Sequence, residues 1–161
     1  MLSVMNGVQA DEVYEVIRLV RPLFRHLLKA VEDKLVGTGV SVPMRGVLER
    51  LYDHGPQSVP QIARALLIQR QFTQVTINAL VEQGWVETLP NRAHKRSPLF
   101  ALSSEGRSTF EAVKARELAV IAQITPALSS ADIQACARVM DVLTQRFGEI
   151  AEGEQAEEGI Q

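Results

Sequence analysis

The chain has a single cysteine, few aromatic side chains and no long apolar segment. Because Cys136 is the only cysteine among 161 residues, an internal disulfide framework is excluded and a reducing compartment is expected. No apolar run approaches the ~18 residues that a membrane-spanning helix needs. The N-terminus also lacks the basic-then-apolar layout of a signal peptide. We therefore expect a cytoplasmic protein that has no membrane partner.

Residue patterns typical of catalysis or metal binding are also missing. The sequence has no nucleophile elbow, no phosphate-binding glycine loop and no spacing of His, Cys, Asp and Glu that suits a metal site. His26 and His54 are isolated, and Cys136 lies on the apolar side of a predicted helix, which favours a structural role for its thiol. We expect no enzymatic activity and no cofactor.

Positive charge is concentrated in the middle of a mildly acidic chain. The formal net charge is −2, yet residues 41–110 hold eight basic and five acidic side chains, whereas residues 111–161 hold four and nine. The segment LPNRAHKRSPLF, residues 89–100, brings together four groups: Arg92, His94, Lys95 and Arg96. A charge run is often only a solvated surface, but a local basic surface also attracts phosphate groups.

Two short helices joined by a tight turn are predicted just before this segment. Ser58 and Gln61 form the S-x-x-Q pattern of a capping box at the start of the first helix. Leu67-Ile68-Gln69 suits a turn, and Gly84 suits the position that follows a second helix over residues 70–83. This arrangement is a helix-turn-helix.

Strand-forming residues follow at 85–89 and 99–102, so the basic segment is predicted at the tip of a β-hairpin. A helix-turn-helix followed by such a hairpin is a winged helix. Longer helices flank this unit: residues 11–35 carry an apolar stripe with Pro22 inside it, and a C-terminal helix after Ser129 carries a heptad-like stripe. The predicted fold class is mainly α with a small β-hairpin wing.

On a helical wheel, the second helix of the pair separates into two faces. One face is expected to pack against the domain: Thr73, Thr76, Ile77, Leu80 and Gly84. The opposite face carries the side chains predicted to contact DNA: Arg70, Gln71, Gln74, Val75 and Asn78. Amides form bidentate hydrogen bonds with adenine in the major groove, and a valine contacts a thymine methyl group.

The basic hairpin suits a contact beside that helix. A wing reaches the neighbouring minor groove, whose negative potential attracts arginine, and Arg96 is the first candidate for that insertion. Arg92, His94 and Lys95 are predicted to contribute further contacts, Arg92 and Lys95 at phosphates. An amide-bearing helix beside a basic wing favours DNA contact over an ordinary polar surface.

The sequence resembles the MarR (multiple antibiotic resistance regulator) family of bacterial transcription factors over residues 11 to about 150. The resemblance rests on IARALLIQRQFTQVTINALVEQGWVE, on the wing, and on FALSSEGR with its Gly106-Arg107 pair. Two positions depart from the family pattern. His94-Lys95-Arg96 stands where members commonly carry Asp-x-Arg, and Gln69 replaces the Ser or Asp that often caps the recognition helix.

The resemblance implies a homodimer that binds a pseudo-palindromic double-stranded DNA operator, acts by default as a repressor, and is released by a small aromatic or phenolic effector. The implied organisation is an N-terminal dimerisation helix, a DNA-binding domain, C-terminal dimerisation helices and a disordered acidic tail, over residues 1–36, 37–104, 105–150 and 151–161. The alternative function is a winged-helix dimer that serves as a protein-interaction scaffold, with the wing engaging an acidic partner.

Overall fold

The computed structural model describes residues 8–94 and 96–158, without the side chains of residues 152–158. The elements in this part of the chain follow in order: α1 Ala10–Leu35, α2 Val42–His54, α3 Val59–Leu66, α4 Arg70–Glu82, β1 Val86–Leu89, β2 Leu99–Leu102, α5 Ser104–Ile121 and α6 Ser130–Glu158. A 3-10 turn, Thr125–Ala127, lies between the last two helices. The predicted fold class, mainly helical with one hairpin, is confirmed.

Local sequence explains where the central helices begin and end. Ser41 accepts a hydrogen bond from the Met44 amide at the start of α2, and Pro43 occupies the first turn, where its missing N–H costs little. Gly55 ends this helix with a φ of 71°. The α1 helix is continuous through Pro22, although proline lacks the N–H group for one backbone hydrogen bond.

The hydrophobic core lies between α2, α3, α4, the hairpin and the first half of α5. Its fully buried side chains include Leu48, Ile62, Leu80 and Phe110. Val113 of α5 is also buried in this core. The core therefore extends beyond residue 104, where the sequence placed the end of the DNA-binding domain.

The hairpin is antiparallel and joins the segment before α3. Val86 pairs with Leu102 and Leu89 with Leu99. The backbone of Gln57 exchanges both of its hydrogen bonds with Phe100, at N–O distances of 3.0 and 2.8 Å. Because Gln57 directly precedes the capping residue of α3, these bonds tie the base of the hairpin to the start of the helix-turn-helix.

The start of α5 lies against the turn that precedes β1. Ser103 accepts a hydrogen bond from the Gly106 amide at 3.0 Å and donates its hydroxyl to the Gly84 carbonyl at 2.7 Å. A Cβ atom on Gly106 would lie 1.9 Å from the Trp85 carbonyl oxygen. The glycine of the Gly106-Arg107 pair is therefore required by the close approach of two backbones.

The chain divides between Glu117 and Leu118 into two compact units, and α6 belongs to the second. Ser129 caps α6, as predicted, by accepting a hydrogen bond from the Asp132 amide. The helix continues to Glu158, so the predicted disorder is wrong for residues 151–158. Alanine, glutamate and glutamine are strong helix formers, and no proline interrupts this stretch. Residues 159–161 lie outside the described residues.

Cys136 of α6 is exposed in the single chain, although the sequence placed it on the apolar side of that helix. In residues 8–94 and 96–158, no helix combines the length and the hydropathy that crossing a membrane requires.

Candidate nucleic-acid interface

The turn between α3 and α4 fixes the orientation of the second helix. Gln61 completes the predicted capping box with Ser58, since its side-chain oxygen lies 2.8 Å from the Ser58 amide nitrogen. Leu67 adopts a left-handed conformation, with φ 54° and ψ 40°. The backbone N–H of Ile68 closes the turn by donating to the Ala63 carbonyl at 3.0 Å. The three-residue turn predicted from the sequence is confirmed.

The α4 helix divides into the two faces that the wheel predicted. Thr73, Thr76, Ile77 and Leu80 are buried against the domain. Gly84, which the wheel placed on the same face, follows the end of α4 and is exposed, so this part of the prediction is wrong. The exposed side chains include all five residues predicted to contact DNA, which we call the reading face: Arg70, Gln71, Gln74, Val75 and Asn78. Phe72 was assigned to neither face and is 48% exposed. Sequence reasoning therefore missed Phe72 as part of the exposed surface.

Two residues of the reading face are joined by a hydrogen bond. The Nε2 atom of Gln74 donates to the Oδ1 atom of Asn78 at 2.8 Å, across one turn of the helix. At the N-terminal end, the side chain of Gln69 forms no cap hydrogen bond. The replacement of a Ser or Asp by Gln69 thus leaves the first turn of α4 without a side-chain cap, and such a helix end attracts anions.

The loop of the wing, residues 90–98, is held by an asparagine that the sequence did not single out. The Asn91 amide nitrogen donates to the Ser97 carbonyl at 2.7 Å across the loop. Its Oδ1 atom accepts from the backbone N–H groups of Ala93 and His94, each at 3.2 Å. These three bonds order the loop although the acidic residue common in the family is absent. An asparagine after a proline is a turn signal that could have identified this role.

Most of the basic residues around the wing and the reading face form no ion pair with another described residue. Within the described part of the chain, Arg70, Arg92 and Arg96 form no ion pair, and all three are exposed. His94 is exposed as well, and Lys95 lies outside the described residues. Arg64 of α3 is also exposed and forms no ion pair with another described residue. Sequence reasoning did not identify Arg64 as part of this basic surface.

Other basic residues of the central region are engaged inside the domain. Arg45 binds Glu117 at 2.7 Å and also pairs with Glu49. Arg50 donates to the Gln57 side chain at 2.8 Å, and the Arg107 guanidinium lies 4.9 Å from the centre of the Tyr52 ring. Among the described arginines of the central region, 41–110, those whose side chains have no ion pair, hydrogen bond or ring contact with another described residue therefore lie on the helix-turn-helix and the wing. On the long helices, four further arginines also form no ion pair with a described residue: Arg21, Arg25, Arg116 and Arg138.

A cleft lies between the wing loop and the start of α3. Its lining includes His94 and Arg96 from the wing, together with Pro60 and Gln61 from α3. The structure thus brings two predicted wing residues to the same cleft as the first helix of the helix-turn-helix. Among the described residues, no group of three or more His, Cys, Asp or Glu side chains is arranged to hold a metal ion.

Comparison with protein families gives a match over the same region. The family model described as MarR family matches residues 38–97. The crystal structure of the MarR family transcription regulator SP03579 is 30% identical in sequence, with a TM-score of 0.75 over 88% of this chain and 94% of that one.

Further similarities also extend over most of the chain. The Mycobacterium tuberculosis protein Rv2011c is 31% identical over 123 residues, which are 75% of this chain and 86% of that protein. A mutant MarR from E. coli complexed with operator DNA is 17% identical, with a TM-score of 0.68 over 85% of this chain and 99% of that chain. At this identity, the second similarity concerns the fold alone.

Proposed function

This chain belongs to the MarR family of transcription regulators, and on that premise we propose that it binds double-stranded DNA sequence-specifically as a homodimer on a pseudo-palindromic operator. The observation that carries the proposal is the placement of unpaired charge. Arg70, Arg92 and Arg96 are exposed without ion pairs to any described residue. Arg70 lies on α4 with the exposed amides, and Arg92 and Arg96 lie on the wing. The MarR mutant of the same fold with operator DNA bound supports this use of the fold.

The proposed contacts are of two kinds: some position the protein on the DNA backbone, and others recognise the base sequence. Arg92 and Lys95 neutralise phosphates, which adds affinity without sequence information. Arg96 enters the minor groove beside them, with His94 as its neighbour in the wing. Gln71, Gln74 and Asn78 face base edges in the major groove, and Val75 contacts a thymine methyl group. Arg70, at the first turn of α4, contacts a phosphate or a guanine.

The dependence of duplex affinity on salt concentration distinguishes DNA binding from the alternative function, a protein-interaction scaffold. Neutralised phosphates release counterions, so log affinity for duplex DNA should fall linearly with log salt concentration, with a slope of about 0.9 for each phosphate contacted. We expect this result in titrations of fluorescent duplexes selected from a random pool. Failure to bind any duplex at low ionic strength would contradict the proposal and favour an acidic protein partner.

Replacement of one wing arginine tests the assignment of the minor groove. Arg96→Ala should weaken binding by at least about 1 kcal/mol, because a charge-assisted contact is lost. Arg116→Ala is a matched control, since Arg116 is an exposed arginine of α5 outside the helix-turn-helix and the wing. Equal affinities of the two variants would remove Arg96 from the interface.

The proposed dimer uses residues 1–36 and 105–150, the segments that the sequence assigns to dimerisation. In the single chain, α1 leaves apolar side chains exposed along its length, including Leu19, Leu23, Phe24 and Leu27, each more than half exposed. Ile133, Val142, Phe147 and Ile150 of α6 are similarly exposed. Such surfaces on a monomer favour association, and a two-fold dimer presents two reading faces to half-sites about 10 base pairs apart.

Charges placed on α1 test the dimer. Leu23→Glu combined with Leu27→Glu should weaken self-association by at least about 100-fold, because burial of unpaired carboxylates costs several kcal/mol. Leu67→Glu, at an exposed position in the turn between α3 and α4 and outside both dimerisation segments, is the control. Sedimentation across protein concentrations measures the effect. An unchanged dimer in the double variant would exclude this part of α1 from the interface.

We also propose that the regulator is a repressor and that a small aromatic or phenolic compound releases it from DNA. The support for both statements is family membership. A ligand of this kind would act by favouring a dimer in which the reading faces no longer match the half-sites. Operator binding measured with and without a panel of benzoates and phenols, alongside a promoter fusion, tests both statements.

A further inference from the structure

We infer that Gln74 reads an adenine in each half-site and that Asn78 is the positioning residue that holds the Gln74 amide in its reading orientation. The inference rests on the proposed function, since it requires α4 to enter the major groove. It goes further by assigning a base to a named side chain and by giving Asn78 a role of its own.

The hydrogen bond between the two amides carries the inference. Gln74 donates one Nε2 hydrogen to the Asn78 Oδ1 atom at 2.8 Å, and both side chains are exposed. An amide nitrogen has two hydrogens, so Gln74 keeps one donor and its Oε1 acceptor. Adenine presents the N7 acceptor and the N6 donor in the major groove. The groups that remain on Gln74 are those that bind adenine in a bidentate manner.

The same bond opposes rotation of the amide. The terminal torsion of glutamine is broad and roughly two-fold, so an unrestrained side chain exchanges the positions of its oxygen and nitrogen. With the Asn78 amide in the orientation that the structure shows, its Oδ1 atom accepts from the Gln74 nitrogen, and rotation of the Gln74 amide alone would break this bond. Guanine presents two acceptors, N7 and O6, and is a poor partner for an amide fixed with its oxygen toward the base.

The composition of the helix supports a preference for adenine over guanine. After Arg70, residues 71–83 contain no lysine or arginine, and these are the residues that most often bind guanine. Arg70 and Asn78 lie one turn before and one turn after Gln74, and the other exposed side chains next to it include a second amide, Gln71, and the apolar Val75. The part of α4 that follows Arg70 therefore carries side chains that suit A·T base pairs.

The test compares base preference rather than affinity alone. Selection from random duplexes locates the position in each half-site whose preference Gln74→Ala abolishes. Duplexes with adenine, 7-deazaadenine or guanine at that position are then titrated by fluorescence anisotropy. The wild-type protein should prefer adenine by about tenfold, and loss of N7 should remove most of this preference. Gln74→Glu should shift the preference toward cytosine, whose amino group donates to a carboxylate.

Variants of Asn78 separate positioning from a contact with DNA. Asn78→Ala should reduce the ratio of affinities for adenine and guanine to about twofold or less. Asn78→Asp keeps an acceptor for the Gln74 nitrogen, so it should retain the ratio while its negative charge weakens binding to all duplexes alike. Gln83→Ala, at an exposed glutamine just after α4, is the matched control and should retain both the ratio and the affinity.

The outcomes distinguish the inference from the proposed function. If the wild-type protein binds duplexes with steep salt dependence but Gln74→Ala leaves every base preference unchanged, the adenine assignment is overturned and DNA binding stands. If Asn78→Asp loses the preference as fully as Asn78→Ala, the positioning role is overturned. If the wild-type protein binds no duplex at low salt, the proposed function itself fails.

Discussion

The winged-helix core and the α1 helix place similar apolar side chains in opposite environments. In α2, Val47, Leu48 and Leu51 are buried within the single chain. The α1 helix has 26 residues, and Leu35 at its end is the only one buried among the residues described. Leu19 and Phe24 of this helix are 66% and 63% exposed. The central unit thus buries its apolar surface by itself, whereas α1 does not.

The free energy of folding therefore has a different source in each region. Buried apolar surface stabilises the winged helix within one chain, because the hydrophobic effect scales with the area removed from water. Long amphipathic helices with exposed apolar stripes gain the same stabilisation only from another surface. Under the proposed dimer that surface is a second copy, so the stability of α1 and α6 should depend on protein concentration.

Two phenylalanines provide the largest expected contrast. Phe110 is fully buried in the core, whereas Phe147 of α6 is 53% exposed in the single chain. Phe110→Ala should lower the free energy of unfolding by about 3–5 kcal/mol at every protein concentration, because it leaves a cavity in a packed core. Phe147→Ala should have a smaller effect that shrinks toward zero as dilution favours the monomer, in which this side chain is already exposed.

Chemical denaturation at two protein concentrations, 100-fold apart, separates these effects. A concentration-independent loss of several kcal/mol for Phe147→Ala would show that α6 is stabilised within one chain. That result would remove the contrast between the two regions.

The elements that the sequence predicted well are those encoded by local patterns. The capping box at Ser58, the tight turn and the two faces of α4 all depend on residues within a few positions of one another. The reading face could therefore be predicted before the structure, and all its residues are exposed. Whether they contact DNA stays a prediction.

Contacts between distant residues could not be predicted in this way. The Arg45–Glu117 ion pair joins residues 72 positions apart, and no periodicity indicates such a pairing. Asn91 is part of a recognisable turn, but its bond to Ser97 depends on the path of the whole loop. The α6 helix extends further than predicted because alanine and glutamate favour a helix even in an acidic segment.

Two glycines, one in the winged-helix core and one in α6, allow the two regions to be compared through their backbones. Gly106→Ala should destabilise the protein by about 3 kcal/mol, because the new methyl group would displace α5 from the Trp85 carbonyl. A methyl group on Gly148 of α6 would meet no atom within 4 Å outside the local helix backbone, so this glycine is the matched control. Gly148→Ala should be neutral or stabilising by up to about 1 kcal/mol, the difference in helix propensity. Thermal or urea unfolding measures both, and equal effects would contradict the backbone contact at Gly106.

Two ion pairs give the smallest expected contrast. Arg45 and Glu117 join α2 to α5, and their side chains are 20% and 12% exposed, whereas Lys29 and Asp33 of α1 are 70% and 56% exposed. The hydrogen bonds that Arg45 donates to the Glu117 carboxylate raise the pKa of Arg45, so the guanidinium stays charged throughout the working pH range. Glu117→Gln should therefore cost about 2 kcal/mol at neutral pH, since a partly buried charge-assisted bond is weakened. Asp33→Asn should change the free energy of unfolding by less than about 0.5 kcal/mol, because solvent screens an exposed pair. Urea unfolding of both variants is the measurement, and an equal cost would mean that burial does not distinguish these two pairs.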